Sequence, residues 1–428
     1  MKVLVIDTHL GLDHAWRLAS DNNIVYYFQA TLNPYPKITD FITGYGFHEN
    51  LILVSDFGEY LDKVDLIVIT DNILPGFANK LRENGKKVFA PSPVLSLLEN
   101  DRVFMYNKLQ ELGIKVPETE IIYGIENLVK FIKKHEDGKK KFWIKLNKIR
   151  GNIETFFVKN HFEVYTYLSH AGLGVFVDDL VFLVQYDCDG IEVGADALIS
   201  PNHIYLPISF TIEKKGKGNF AKWIFKDEIE KAKLNRSDMY SKLIYEVYNF
   251  YEKVHDLVKE DNYHCYLCFE GFFNGKDLKI IDITPRFPYP VSSLYPRFIN
   301  NYSEVLYKVA CGEYVELDVD KENSKMLEIT GYTSETNIWR PIHVKDSKFV
   351  SVKSDGIGFR KAVKYNNTYW FVPDDGVVFT INVKGKDFNQ LKQKGLDILS
   401  NIACYSVDCD LSFVDELEKE INDYNITL

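Results

Sequence analysis

The sequence predicts an α/β protein that is built from several modules. Its 428 residues are enough for about two to four domains of roughly 100–200 residues each. In the first 100 residues, short runs of Val, Ile and Leu alternate with stretches of helical spacing, which is typical of a parallel sheet covered by helices. Later in the chain, groups of strand-like runs precede longer helical stretches, and this pattern is typical of α+β modules.

The N-terminal module, residues 1–100, is predicted to be a doubly wound parallel sheet. Helical stretches near residues 13–20 and 76–83 separate strand-like runs at residues 2–6, 24–28, 51–54, 66–69 and 87–89. The binding crevice of such a sheet lies at the carboxyl ends of its strands. We therefore expect this crevice to be lined by the polar residues behind the first strand, which are His9, Gly11, Asp13 and His14. The alternative for His14 is that it only begins a helix.

The middle of the chain predicts a central domain with a small α+β lid inserted in it. A helix is expected over residues 94–112, because Gly113 suits a helix C-terminus. The lid takes residues 120–190, and the central domain takes residues 101–119 and 191–325. The lid is predicted to contain a hairpin of residues 142–145 and 155–159 and a strand at 183–186. The central domain is predicted to contain strands at 192–200 and 203–210, a flexible basic loop at 213–219 and a helix at 237–260.

Residues 326–428 predict a C-terminal α+β domain. Strand-like runs occur at residues 326–330, 349–353, 369–372 and 377–383, and helical stretches follow at 388–403 and 414–422.

Composition and charge exclude several classes of protein. A net charge of −10 argues against direct binding to nucleic acid or to an anionic membrane, although a nucleotide needs only a local basic cluster. No apolar run reaches the roughly 18–20 residues that a bilayer-spanning helix requires. The six cysteines are scattered, with one close pair at Cys265 and Cys268, so we expect reduced thiols in a cytoplasmic protein.

The most informative stretch is residues 268–288, which predicts a hairpin with its turn at residues 274–275. Glu270 lies on the first strand, while Asp282 and Thr284 share one face of the second. Two carboxylates on an otherwise apolar hairpin repel each other unless a cation offsets their charge, and Mg²⁺ carrying nucleotide phosphates would do so. The alternative is that both acids are solvated side chains of an edge hairpin.

At these residues the chain resembles the ATP-grasp ligases. Their nucleotide site ends with an acid on one strand and acid-x-Asn on the next, and a short segment with Pro and Arg follows, as Pro285-Arg286 does here. The chain is most similar to phosphoribosylamine–glycine ligase, thinly but along its whole length. Residues 1–6 and 13–15 resemble that family's first strand and turn, and residues 88–93 with Arg102 resemble its Gly-Pro-Ser stretch and the Lys that follows. The resemblance implies an ATP-grasp fold with an N-terminal pre-ATP-grasp domain, a lid and a C-terminal domain.

The resemblance also implies that the cofactors are ATP and Mg²⁺. Lys145 and Arg102 match phosphate-binding cations of the family, and Arg150 with Gly151 matches the phosphate loop of the lid. The stretch that reads adenine corresponds to Gln185, Tyr186, Asp187 and Cys188, followed by Glu192 at the ribose position. The metal ligands correspond to Glu270, Asp282 and Thr284. Two departures are visible: the lid loop keeps a single glycine, and Thr284 replaces the usual metal-binding Asn.

Three segments that help to form the substrate site of the glycine ligases differ in this chain. They are residues 9–13, 217–223 and 288–291. Their simultaneous change predicts one acceptor cavity with a different occupant, because a site built to hydrogen-bond one substrate rejects its analogues. The candidate substrate residues are His9, Gly11, Asp13, His14, Lys217, Trp223, Arg286 and Tyr289. The alternative for Trp223 and Tyr289 is that they are core aromatics.

The implied activity is the ATP-dependent joining of a carboxylate to an amine through an acyl phosphate, with Lys145 and Arg286 as catalytic cations. The expected partners are small-molecule substrates, and the expected assembly is a monomer or a homodimer. One alternative is an ordinary phosphoribosylamine–glycine ligase of purine synthesis. A second is an inactive binding module, which the single lid glycine and Thr284 favour.

Overall fold

The computed structural model describes residues 1–30, 42–135, 142–148, 155–170, 180–373, 376–424 and 426. Among these residues the strands form four sheets, one of five strands, one of eight and two of four. The chain is α/β, as its sequence predicts, with a parallel sheet at the N-terminus and antiparallel sheets after it. No helix in these ranges is long and apolar enough to cross a bilayer.

The N-terminal sheet is parallel, and its strands confirm the predicted pattern. Their order across the sheet is Leu51–Val54, Ile24–Gln29, Lys2–Asp7, Leu66–Ile69 and Val88–Phe89. The helices Leu12–Ser20, Pro75–Glu83 and Pro93–Asn100 alternate with these strands. The order reverses at the first strand, so Lys2–Asp7 ends at the topological switch point where such sheets bind ligands.

The single helix expected over residues 94–112 is wrong, because two helices occupy this stretch. Pro93–Asn100 ends before Asp101, and Arg102–Glu111 begins after it. The Asp101 side chain accepts a hydrogen bond from the Phe104 backbone N–H at 3.0 Å and so caps the second helix. This cap makes Arg102 the first residue of a new helix and directs it towards the central sheet.

The lid sheet has the strand order Thr119–Tyr123, Val181–Tyr186, Phe142–Leu146 and Thr155–Phe156. The helices Ile125–His135 and His161–His170 supply Leu128, Ile132 and Val164 to a small core of their own beneath it. The entering and leaving strands are neighbours, since Thr119 pairs with Gln185. The expected polar tip of the lid hairpin, with Arg150 and Gly151, lies outside the described residues.

The eight-stranded antiparallel sheet continues from the central region into the C-terminal region. Its order is Leu278–Thr284, Cys265–Phe273, Ile191–Ile199, Ile208–Lys214, Gly218–Ile224, Lys325–Tyr332, Val377–Gly385 and Gly356–Gly358. The strand expected at residues 203–210 therefore begins later, at Ile208. The basic loop expected at 213–219 is mostly strand, with residues 215–217 as its turn. Chain order does not reveal that residues 325–332 extend a sheet begun more than 100 residues earlier.

One face of this sheet is polar, and it carries the candidate site. Directly paired residues on adjacent antiparallel strands point to the same side of a sheet. Glu270 pairs with both Asp282 and Gly194, so the two carboxylates lie side by side. We call this side the polar face, although Ala221, Phe272 and Met326 also lie on it. The members that matter here are Glu192, Gly194, Asp196, Ser209, Thr211, Glu213, Asn219, Trp223, Cys268, Glu270, Asp282, Thr284, Glu328, Thr330, Thr380 and Asn382.

The opposite face is mostly apolar, apart from Lys222 and Lys325, and packs against helices. The Phe269 ring lies 4.4 Å from that of Phe250 in the helix Met239–Glu260. The Phe220 ring lies 4.9 Å from that of Phe388 in the helix Phe388–Ser400. Alternation of polar and apolar residues along each strand thus separates the site from the core.

The remaining C-terminal strands form a small sheet in the order Ala362–Tyr365, Thr368–Phe371, Arg340–Val344 and Ile402–Ala403. The strand expected at residues 349–353 is wrong, because a 3₁₀ turn, Ser347–Phe349, and irregular chain occupy this stretch. Other described helical segments are Gly58–Tyr60, Lys226–Leu234, Val291–Leu294, Tyr295–Phe298, Tyr302–Cys311 and Phe413–Asp423.

Gly358 lies where the polar face meets the N-terminal domain, and its replacement should destabilise the protein. A Cβ there would lie 2.3 Å from Thr380 Oγ1 and 2.6 Å from Asp13 Oδ2. We expect Gly358→Ala to lower the free energy of unfolding by about 1–3 kcal/mol through overpacking. Urea unfolding of the two proteins measures this. Gly76→Ala is the control, because no atom lies within 4 Å of its added Cβ; equal losses in both variants would contradict the steric explanation.

Candidate active site

Two carboxylates form the centre of the candidate site. Glu270 and Asp282 are paired neighbours on the hairpin of Cys265–Phe273 and Leu278–Thr284, and the strand register shifts between Glu270 and Gly271. Asp282 Oδ1 also accepts a hydrogen bond from the Ile283 N–H at 3.0 Å. On the other side Glu270 faces Gly194, where a Cβ would lie 2.6 Å from Thr211 Oγ1. Thr211 therefore packs so closely against residue 194 that glycine is required there.

Two buried cations reach these carboxylates from other elements. Lys145, on the lid strand Phe142–Leu146, donates from Nζ to the Ile281 carbonyl at 2.7 Å. Arg102 places Nη2 3.6 Å from Asp282 Oδ2 and donates from Nη1 to the Leu146 carbonyl at 2.9 Å. The lid and the helix Arg102–Glu111 therefore meet the central sheet at its acids.

The pKa directions separate the two carboxylates. Burial tends to raise the pKa of Asp282, but the charges of Lys145 and Arg102 outweigh it and hold that pKa below its usual value. Burial, and then the charge of Glu213, raises the pKa of Glu270 to about 8. Burial lowers the pKa of Lys145, and the negative charge of Asp282 opposes this shift. Asp282 therefore carries its negative charge beside two cations, whereas Glu270 holds its proton more tightly than an exposed glutamate does.

Such a pair fits a hard divalent cation that brings further ligands with it. Among the described residues, no group of three or more His, Cys, Asp or Glu side chains is arranged to hold a metal ion by itself. Oxygen atoms of a nucleotide and water would have to complete the coordination of an ion at Glu270 and Asp282. Thr284 lies on the same face, paired with Cys268, and offers a hydroxyl in place of an amide oxygen.

Of the residues expected to contact adenine and ribose, Gln185 and Tyr186 end the lid strand Val181–Tyr186, and the others follow it. Gln185 is buried, and its Nε2 lies 3.5 Å from Thr119 Oγ1 in the neighbouring strand. Asp187 is exposed, and Cys188 Sγ lies 3.8 Å from the Tyr186 carbonyl. Glu192 lies on the polar face, 3.9 Å from Lys215 Nζ. Arg150 and Gly151 fall outside the described residues.

An open cavity of about 350 Å³ lies beside this region, at the edge of the lid. It is lined by Asp101, Val103, Tyr123, Leu146, Asn147, Lys148, Leu180 and Val181. Neither Lys145 nor the paired acids line it, so it flanks the charged centre and does not contain it.

Arg286 is held by acids of the N-terminal region. Its Nη2 lies 2.7 Å from Glu99 Oε1 and its Nε lies 3.5 Å from Asp71 Oδ1. Its Nη1 donates to the Phe287 carbonyl at 3.2 Å. Asn72 also donates to Glu99, at 2.7 Å. Sequence reasoning missed Glu99 and Asp71, and only the three-dimensional contact identifies them.

The turn behind the first strand is fixed by hydrogen bonds to Asp7. Asp7 Oδ1 accepts from the N–H groups of Leu10 and Gly11, both at 2.9 Å, and from Thr70 Oγ1 at 2.7 Å. A Cβ on Gly11 would lie 2.5 Å from Thr70 Cγ2, so close approach requires glycine there. His9 adopts a φ of +75° within this turn.

Of the expected substrate residues, the structure brings His9 and Tyr289 together through Arg360. Arg360 Nε donates to the His9 carbonyl at 2.7 Å, and its guanidinium lies 4.8 Å from the centre of the Tyr289 ring. Burial, followed by the charges of Lys361 and Arg360, lowers the pKa of His9 to about 3. The sequence offered no local signal for Arg360, because it lies about 350 residues after His9.

Asp13 and His14 are buried against protein groups instead of lining an open crevice. Asp13 Oδ1 accepts the Phe359 N–H at 3.0 Å, and Oδ2 lies 3.6 Å from Arg297 Nη2. His14 Nδ1 lies 2.5 Å from Tyr302 Oη, and its ring packs edge-on against that of Phe287.

Lys217 and Trp223 lie apart from that turn. Lys217 Nζ lies 3.4 Å from Asp410 and 3.6 Å from Glu416. Trp223 is on the polar face but is buried, and its ring lies 5.9 Å from that of Tyr295. These contacts do not bring Lys217 or Trp223 to His9.

The comparisons with solved structures give full-length matches. A phosphoribosylamine–glycine ligase of Thermotoga maritima is 14% identical, with 96% of this chain and 99% of that chain covered and a TM-score of 0.67. A biotin carboxylase of Campylobacter jejuni is 13% identical, covers 99% and 96%, and has a TM-score of 0.66. An N5-carboxyaminoimidazole ribonucleotide synthetase of Thermus thermophilus is 15% identical, covers 94% and 98%, and has a TM-score of 0.60. These are ATP-grasp enzymes, and the likeness shows that this chain has their fold.

Sequence comparison gives a shorter match. A curated phosphoribosylamine–glycine ligase of Fusobacterium nucleatum is 25% identical over 140 residues, which are 31% of this chain. The match spans about a third, 32%, of that relative's own length. No family model matches the sequence.

The raised pKa of Glu270 predicts a pH-dependent effect on stability without metal or nucleotide. Between its unfolded value near 4.5 and about 8, the folded protein retains a proton on Glu270 that the unfolded chain releases. The wild type should therefore lose stability relative to Glu270→Gln as pH rises through this window, and the difference should level off above pH 8. Urea unfolding in chelator across pH 5–9 measures it. Exposed Glu83→Gln is the control; a constant difference for Glu270→Gln would contradict the shift.

Proposed function

We propose that this chain, which has the ATP-grasp fold, is an ATP-dependent ligase that joins a carboxylate to an amine and forms ADP. The observation that carries the proposal is the meeting of Glu270 and Asp282 with Lys145 and Arg102. Two carboxylates and two buried cations, supplied by a hairpin, a lid strand and a helix, form a charge pattern suited to a metal-bound polyphosphate. Two neighbouring carboxylates make each other's ionisation less favourable. Such a pair would not stabilise a hairpin that had only a structural role.

The nucleotide would lie between the lid and the polar face. In this proposal Lys145 and Arg102 hold the phosphates, the stretch from Gln185 to Cys188 holds the adenine and Glu192 holds the ribose. The position of Lys145 supports this, because its Nζ is fixed beside Asp282 by the Ile281 carbonyl. Arg150 and Gly151 remain part of the proposal as lid residues that cover the phosphates.

Glu270, Asp282 and Thr284 would hold Mg²⁺, which when bound neutralises phosphate charge and orients the transferred group. The substrate carboxylate attacks the γ-phosphorus of ATP, giving an acyl phosphate and ADP. The amine then attacks the acyl carbon, loses a proton and releases phosphate. Lys145 and Arg102 are fixed in place before the reaction, so they stabilise the developing charge without reorganising.

Arg286 enters the proposal with a modified role. Its Nε and Nη2 are bound by Glu99, which leaves it as a cation that positions the end of the metal-binding strand. Direct contact with an acyl phosphate would require exchange of this ion pair. Two hydrogen bonds from one guanidinium to one carboxylate hold the plane of the guanidinium in a fixed orientation.

The substrate pair is proposed to differ from glycine and phosphoribosylamine. Support comes from the turn at His9, which lacks paired glycines. A Cβ added at Gly11 would collide with Thr70, and Arg360 donates to the His9 carbonyl and lies over the Tyr289 ring. An ordinary glycine ligase is the alternative, and it is supported by the 140-residue sequence match to a curated phosphoribosylamine–glycine ligase. A monomeric or homodimeric cytoplasmic enzyme acting on small molecules completes the proposal.

The test is ADP formation by the purified protein with Mg-ATP and a panel of carboxylates and amines. We expect turnover with at least one pair and little with glycine and phosphoribosylamine. Efficient use of glycine and phosphoribosylamine would show that the protein is an ordinary phosphoribosylamine–glycine ligase. Nucleotide binding without turnover on any pair would favour the inactive binding module.

Asp282→Asn should lower ADP formation about 100-fold or more, because a hard cation loses an anionic ligand while the side-chain volume is kept. Asp277→Asn is a matched control in the turn of the same hairpin, where Asp277 pairs with Lys115. Steady-state ADP release by both variants measures the effect. Wild-type turnover in Asp282→Asn would remove Asp282 from the metal site.

A further inference from the structure

Among the lysines of its hairpin turn, Lys215 is the one whose side chain is directed towards the polar face. The turn joins Ile208–Lys214 to Gly218–Ile224, and its backbone is fixed by a hydrogen bond from the Lys217 N–H to the Lys214 carbonyl at 2.9 Å. Lys214 pairs with Glu420, and Lys217 lies 3.4 Å from Asp410. The side chains on both sides of Lys215 are thus directed to the C-terminal helix region, while Lys215 itself is directed to the site.

Carboxylates lie on the side of the Lys215 ammonium that is directed towards the sheet. Its Nζ lies 3.9 Å from Glu192 Oε1, and the polar face places Glu213 and Glu270 beside Glu192. Although burial lowers the pKa of Lys215, the charges of Glu270, Glu192, Glu213 and Asp282 raise it. Its side chain is 71% exposed, so the stem is free to move the charge away without breaking the fold.

We propose that Lys215 is a built-in counter-ion of the metal site. Its ammonium lies near the acids when no metal is bound, and it moves away when a divalent cation binds together with its nucleotide. The inference rests on the proposed function, because it takes Glu270 and Asp282 as metal ligands. An ammonium on a flexible stem neutralises an acid cluster from a distance, whereas a hard dication requires direct oxygen contacts.

The consequence is an antagonism between Lys215 and metal alone. Each positive charge near Glu270 weakens the binding of another, so free metal binds poorly while Lys215 is present. A nucleotide-bound metal is less affected, because its phosphates carry negative charge and supply ligand oxygens. Metal and nucleotide therefore enter the site together.

The test is the binding of Mn²⁺ alone, with free Mn²⁺ counted by electron paramagnetic resonance at low ionic strength, where screening is small. Lys215→Met should bind Mn²⁺ about 3- to 10-fold more tightly than the wild type, since one charge is removed close to a dication. Lys215→Arg keeps the charge and should match the wild type. Lys217→Met removes the same charge from the same turn, but from a side chain paired with Asp410, and should change the affinity little.

Equal Mn²⁺ affinity in Lys215→Met and the wild type would overturn the inference, and so would an equal gain in Lys217→Met. The result is separable from the proposed function. Tighter Mn²⁺ binding without ADP formation on any substrate pair would leave the counter-ion role standing and remove the ligase. ADP formation by the wild type, with unchanged Mn²⁺ affinity in Lys215→Met, would leave the ligase standing and remove the counter-ion role.

Discussion

The strand pairing of Glu270 with Asp282 is the constraint on which the arrangement of the site depends. The strand pairing forces these carboxylates to be neighbours on one face, whatever else occupies that face. One of them has a lowered pKa because Lys145 and Arg102 lie close to it, and the other has a raised pKa because burial and Glu213 dominate. The lid, the helix Arg102–Glu111 and the central sheet are therefore joined at a point where charge, more than apolar contact, sets the geometry.

The sequence was informative where structure is decided locally. Runs of Val and Ile predicted the parallel N-terminal strands, and a glycine turn between two apolar runs predicted the hairpin that carries Glu270 and Asp282. The break at Asp101 was also a local signal, since Asp is a favoured N-cap, but continuous helical spacing on both sides concealed it. Local chemistry thus predicted the two metal-ligand candidates that form the centre of the site.

The rest of the site depends on pairings that no local pattern contains. Arg286 and Glu99 are separated by 187 residues, and the sequence marks neither as the partner of the other. Periodicity predicts a strand at residues 326–330 but not that it extends the central sheet beside Gly218–Ile224. The residues predicted around the N-terminal turn likewise divide by burial, with Asp13 and His14 packed against protein groups and His9 next to Arg360. Burial and long-range register come from the whole fold, and a single sequence gives them only through resemblance.

The lid is an insertion whose two ends meet. Its first strand, Thr119–Tyr123, and its last, Val181–Tyr186, lie side by side, and the Tyr186 N–H donates to the Glu118 carbonyl at 2.9 Å. The polypeptide therefore leaves and re-enters the central domain at nearly the same place, and the lid has a hydrophobic core of its own. Over evolutionary time such a segment can be shortened, lengthened or exchanged without altering the path of the chain elsewhere. Insertions or deletions within this segment would thus leave in place the paired strands that carry Glu270 and Asp282.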